Sequence, residues 1–268
     1  MLKSKPFIII FYFMLIVLSE ACGASFVIDN VLNRLDDEVA EVNLDESQSE
    51  HWQGMKIRMK ASAHMVVKQI AKNLITVKDE LNKTNPDVDR IIAYLKKQFR
   101  KKPSILEIQL DYYKEFHDIL RVDQKVKLFS MTRYWLNRIL VQIKKKPDSV
   151  SDQTISKLDS ILDELNLNSI QAKYWKNMKI RIRRQDKRHV KELTKYLITI
   201  KGELKKKEPD VTKIITYILK HSNKKPGPME EQLDYYMELN DLLYKDQRVK
   251  AYSIIRKKLN RIIEFLQK

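Results

Sequence analysis

Displaced by 123 residues, the sequence lies on itself: Trp52 meets Trp175, and the match runs without a gap to Lys145 and Lys268, with about half of the paired positions identical. Met55-Lys56-Ile57-Arg58 returns as Met178-Lys179-Ile180-Arg181, and Pro86-Asp87-Val88 as Pro209-Asp210-Val211. Gln109-Leu110-Asp111-Tyr112-Tyr113 returns unchanged as Gln232-Leu233-Asp234-Tyr235-Tyr236, and weaker similarity reaches back to Asp29 and Asp152. Such a chain solves one packing problem twice. Two copies make a tandem pair rather than a solenoid, which needs three or more stacked repeats.

The apolar spacing inside each repeat is helical. Its longest stretch places Trp52, Met55, Met59, Ala63, Val66, Ile70, Leu74, Val77 and Leu81 at steps of three and four. A recurrent three-four-four step has a period near 3.67 residues and keeps one stripe on one side of a straight helix, about 45 to 50 Å long at 1.5 Å per residue. A shorter helix precedes it, carrying Ile28, Val31, Leu35, Val39 and Val42 on one face. Asn85-Pro86 is a breaker, with Asn85 placed to cap and Pro86 at the first helical position of a helix through Val88, Ile91, Ile92 and Leu95. Ser104 and Glu107 have capping-box spacing for a helix through Leu106, Leu110, Tyr113 and Leu120. Asp123 then precedes a last helix through Val126, Phe129, Leu136, Leu140 and Ile143. With only 4 Gly and 7 Pro, the chain lacks the turn chemistry of a many-stranded sandwich or barrel. The expected fold is all-α: a tandem duplication of a four- to five-helix up-and-down bundle, each copy with one long spine helix. The units are residues 25–145 and 152–268, with 146–151 as linker.

Residues 1–24 read as a secretory signal peptide. Lys3 and Lys5 lead into an apolar run from Phe7 to Leu18, and Ala21-Cys22-Gly23-Ala24 supplies the small residues of a cleavage site. The run is shorter than the roughly 20 residues that span a bilayer. Cleavage after Ala24 leaves a secreted, extracellular chain without cysteine or transmembrane segment, whose fold rests on apolar burial alone. Cleavage after Ala21 would instead leave Cys22 as the first residue.

Catalysis finds little support. Under the 123-residue shift His51, His64, His117, His189 and His221 all meet other residue types, so the repeats share no histidine site. None of the spacings of zinc peptidases, nucleophile elbows or phosphate-binding loops is present. The reading is therefore of a non-enzyme with no catalytic residues, no metal and no cofactor. Asp186 and His189, three apart on the second spine where the first has Ala63 and Val66, read as a polar pair at the edge of the core. Asp111 and Asp234 are placed to bridge Arg133 and Arg256 of the last helices, an architectural role.

Charge is the strongest surface signal. Residues 25–145 carry 22 basic and 17 acidic side chains, whereas residues 146–268 carry 28 and 17. On the second spine Arg181, Arg184, Arg188, Lys191 and Lys195 recur at steps of three and four, a cationic ridge about 20 Å long. The first spine keeps Arg58, Lys68 and Lys72 but has Ala61 and Met65 between them. The ridge points to an anionic extracellular macromolecule: a sulfated glycan, an acidic protein or an anionic membrane surface. Nucleic acid is less favoured, because no aromatic residues interleave with the ridge for base stacking. The acidic stretch from Asp29 to Glu50, whose one basic residue is Arg34, is expected to lie on a basic surface of its own molecule and to shield part of the ridge. The alternative function is a carrier of a fatty acid or other apolar ligand inside the bundle, with Met55, Met59, Met65 and Met131 as adaptable walls. Asn82-Lys83-Thr84 is a glycosylation sequon.

Overall fold

The computed structural model describes residues 24–101, 103–145, 149–222 and 228–267. The expected signal segment and the start of the linker, residues 1–23 and 146–148, lie outside them. Among the described residues the chain is all-helical, as expected. The first repeat contributes α1 (Ala24–Val42), α2 (Glu46–Leu81), α3 (Val88–Phe99), α4 (Ile105–Ile119) and α5 (Val122–Lys145). The second contributes α6 (Ser149–Leu162), a 3-10 turn (Asp163–Leu165), α7 (Ser169–Glu203), α8 (Val211–Ser222), α9 (Pro228–Leu242) and α10 (Lys245–Leu266). Helix α6 begins inside the stretch expected as linker, and the Ser151 amide donates to Asp186 Oδ2 at 3.1 Å.

The helix ends explain themselves locally. Asn43 and Asn166, which are 123 residues apart, both adopt positive φ in the turns that enter the spines. Asparagine tolerates this left-handed conformation better than most residues. Asp45 and Asn168 then cap α2 and α7, each in a reciprocal box with the glutamine three residues on, Gln48 or Gln171. Ser104 and Glu107 form the expected capping box on α4. Two expectations shift. The cap of α3 is Asp87, whose Oδ1 accepts from the Arg90 amide at 2.8 Å. Its carboxylate outcompetes Asn85 and leaves Pro86 outside the helix. Helix α5 starts at Val122 rather than after Asp123, because Gln124 Oε1 takes the Arg121 amide at 2.8 Å. Val126, expected inward, is exposed.

A bundle within each repeat accounts for only part of the packing. The N-terminal half of α2 packs with its own repeat, where Ile28, Leu35, Trp52, Met55, Phe116, Leu120 and Leu128 form one apolar cluster. Ile155, Leu158, Trp175, Met178, Leu239 and Leu243 form its counterpart around α7. Helix α2, however, is about 54 Å long, while α1 and α4 reach only about 28 and 22 Å. The rest of its stripe needs another cover, and the other repeat provides it. Ala71 packs with Leu266, and Val77, Leu81 and Ile91 pack with Tyr252, Ile255 and Leu259 of α10. Reciprocally, Leu110, Phe129 and Leu136 join Ile200, Leu204, Val211, Ile214 and Ile215. Each last helix thus lies along the far half of the other repeat's spine, and α3 and α4 lie against α9 and α8.

The cross-repeat contact predicts a specific cost. Leu204 is 1% exposed between the repeats. Leu204→Ala should therefore cost about 2–5 kcal/mol in urea unfolding, the scale of a deep core position such as Met178→Ala. A loss below about 1 kcal/mol, the scale of a surface change, would contradict the packing.

Candidate functional site

All five ridge cations of α7 are exposed. Two of them are engaged by α9, which runs beside the ridge. Arg181 Nη2 donates to Glu238 Oε1 at 2.6 Å, and the Tyr174 hydroxyl donates to the same oxygen. The Arg181 guanidinium also lies 5.9 Å from the Tyr174 and Tyr235 ring centroids. Arg188 Nη2 meets Glu231 Oε1 at 3.2 Å, while His189 Nε2 lies 2.7 Å from Glu231 Oε2 and Gln185 donates to that oxygen. Arg184, Lys191 and Lys195 have no ion-pair partner among the described residues. Two of the five cations are therefore tied down, and three face water without an ion pair among the described residues. Tyr174 lies two turns before Arg181 on the same line, outside the row, with its hydroxyl committed to Glu238.

The Arg181 contact fixes charge on both sides. Burial alone would push the Glu238 carboxyl up, but hydrogen bonds from Arg181 and Tyr174 and the guanidinium charge outweigh it and hold the group below its ordinary value. The hydrogen bond to Glu238 raises Arg181 in turn. In the first repeat Glu115 is held by Arg58 and lies 2.8 Å from His51. Beyond Arg58 the two lines diverge, because Met65 is 73% exposed where the second repeat has Arg188.

Other expected contacts are replaced by different ones. Asp186 and His189 do not pair; Asp186 caps the start of α6 and His189 meets Glu231. Asp234 pairs with Lys96 across the repeats. Arg133 Nη1 donates to the Leu204 carbonyl at 2.9 Å, and Arg256 Nη1 to Asn82 Oδ1 at 3.2 Å. Each arginine thus reaches the C-terminal end of the opposite spine, where a cation interacts favourably with the helix dipole, rather than the aspartate of its own repeat. The acidic stretch does cover basic groups, but those of the first repeat: Asp29 pairs with Lys60 at 2.6 Å, Asp36 with Lys56 at 2.6 Å and Asp45 with Arg121 at 2.7 Å. It does not lie over the ridge. The sequon residue Asn82 is exposed at the cap of α2.

A buried amide pair went unnoticed in the sequence. Gln48 Nε2 donates to the Ile119 carbonyl at 2.7 Å and to Gln124 Oε1 at 2.9 Å, and Gln124 Nε2 donates to the Asn43 carbonyl at 2.9 Å. Gln171 and Gln247 repeat the arrangement, donating to the Leu242 and Leu165 carbonyls. Their recurrence at the 123-residue spacing was the available signal.

The first repeat also holds a cavity of about 50 Å³ lined by Met55, Met59, Met131, Trp52, Phe116 and the buried Glu38, among others. Sites for drug-sized ligands run to roughly 300–1,000 Å³. Met65, expected at such a wall, faces solvent instead. Among the described residues no three His, Cys, Asp or Glu side chains converge in a way that could hold a metal ion, and no helix is long and apolar enough to cross a membrane. No family model, curated protein or solved structure matches the chain.

The depressed Glu238 carboxyl sets a pH dependence. Its folded-state pKa lies below the ordinary 4.5, so its contribution to stability is complete above that value and is lost as pH falls through the folded value. Glu238→Gln should flatten the acid limb of a stability-versus-pH profile relative to wild type. An unchanged limb would mean that the Arg181 contact contributes nothing to folding.

Proposed function

We propose that this chain is a secreted, non-enzymatic binding protein, built by tandem duplication of one helical unit, that engages an anionic macromolecule through the basic face of α7. The observation that carries the reading is the exposed cationic row, in which Arg184, Lys191 and Lys195 have no carboxylate partner among the described residues while Arg181 and Arg188 are steadied by α9. A row at steps of three and four on one helix sums its potentials over about 20 Å. Its counterpart in the first repeat is interrupted at Ala61 and Met65. The N-terminal segment supports secretion, and an extracellular protein meets sulfated glycans, acidic proteins and anionic membrane surfaces. The carrier alternative draws on the methionine-lined cavity, whose volume of about 50 Å³ suits a molecule of only a few atoms.

Salt dependence tests the reading. Neutralising polyanion charge releases counterions, so log affinity falls linearly with log salt. On a heparin column, Arg184→Glu with Lys191→Glu should elute at clearly lower salt than wild type, and Lys68→Glu with Lys72→Glu should move elution much less. Equal shifts for the two pairs, or no shift for the first, would reduce the ridge to an ordinary solvated helix face.

A further inference from the structure

The ridge does not stop at Lys195. Carried on at the same steps, its line passes Ile198 and Gly202 and reaches Lys205, one residue beyond the cap of α7 at Leu204. Lys205 and Lys207 are exposed and have no ion-pair partner among the described residues, while Lys206 pairs with Glu203 at 2.7 Å. From Arg181 to Lys205 the line spans about 36 Å.

Comparison of the two repeats isolates what is particular to this line. At the same positions the first repeat has Arg58, Ala61, Met65, Lys68, Lys72, Ile75, Asp79 and Asn82, followed by Lys83 and Thr84. The second has Arg181, Arg184, Arg188, Lys191, Lys195, Ile198, Gly202 and Lys205, followed by Lys206 and Lys207. Every difference moves toward positive charge, including loss of the one acid, Asp79. Both lines face solvent on spines that start from the same kind of glutamine capping box, so folding does not demand the difference.

The width of the track narrows the choice of occupant. Along its α9 side it is bordered by Glu231 and Glu238, which already hold Arg188 and Arg181. A flat anionic bilayer would bring its headgroups against those carboxylates as well as the cations. A single flexible polymer strand can follow the row and avoid them. Between Arg181 and Lys205 the line carries no aromatic side chain, so a strand bound there gains no base stacking, the chief contribution available to single-stranded nucleic acid beyond charge. Resting on the proposed polyanion reading of α7, we infer that its partner is a linear sulfated glycan laid lengthwise along the helix, from Arg181 to the lysine cluster at Lys205 and Lys207.

The test uses the full secreted chain and size-fractionated heparin. The short fraction spans about 20 Å, enough for Arg181 to Lys195, and the long one exceeds about 36 Å. Wild type should bind the long fraction more tightly, and Lys205→Glu with Lys207→Glu should lose roughly tenfold for the long fraction, the scale of two exposed ion pairs reversed in sign, with little change for the short one. Gly202→Lys should strengthen binding of the long fraction. A Cβ added at Gly202 meets no atom within 4 Å, so the backbone there has open space for a side chain. If Arg184→Glu with Lys191→Glu weakens binding while the Lys205 pair and Gly202→Lys change nothing, the track ends at Lys195 and this inference fails while the polyanion reading stands. Tighter binding of single-stranded DNA or phosphatidylserine vesicles at matched charge would overturn the glycan assignment. If no polyanion binds, both readings fall.

Discussion

A spine helix longer than its own repeat can cover is the constraint from which the rest of this structure follows. The apolar stripe of α2 continues well past the reach of α1 and α4, and leaving Ala71, Val77 and Leu81 in water would forfeit the burial that stabilises a chain without a disulfide in its described residues. The second repeat faces the same deficit. Each repeat covers the other's exposed stripe with its last helix, so Leu266 meets Ala71 and Phe129 and Leu136 meet Leu204. Small residues at Ala63 and Ala71 leave room for neighbouring helices on α2. Arg133 and Arg256 then anchor the far ends of the spines, each to the opposite repeat.

Much of the helical layer was legible in the sequence because helix signals are local. The three-four-four stripe from Trp52 to Leu81, the Ser104-Glu107 box and the break at Pro86 act within a turn or two, and the helices formed where those signals lie. The cross-repeat partners were not legible. Nothing local distinguishes a leucine that packs within its own repeat, such as Leu120, from one that packs across, such as Leu136. A stripe states that a face must be covered and is silent about which helix covers it. The Gln48–Gln124 pair was hidden for a related reason, since its partners are 76 residues apart and glutamine is usually read as surface.

At the candidate site, position was legible and pairing was not. Steps of three and four fixed the cations of α7 on one solvent face. Which of them remain available depended on α9, whose Glu231 and Glu238 sit beside Arg188 and Arg181 only after the helices pack. The same packing separated Asp186 from His189 by giving each a partner elsewhere. Two helices with similar apolar stripes have therefore come to present different surfaces, one interrupted by Ala61 and Met65 and one positively charged at every step from Arg181 to Lys195.

Reciprocal cover makes one folding unit of two repeats, and site-resolved unfolding reads that directly. The chain has 3 Trp, with Trp52 and Trp135 in the first repeat and Trp175 in the second. Labelled with 5-fluorotryptophan and followed by fluorine NMR through a urea titration, all three resonances should leave their folded positions at one midpoint. Leu266→Ala, in the last helix of the second repeat, should lower that midpoint for Trp52 as much as for Trp175. Separate midpoints for Trp52 and Trp175, or a Leu266→Ala effect confined to Trp175, would contradict the account.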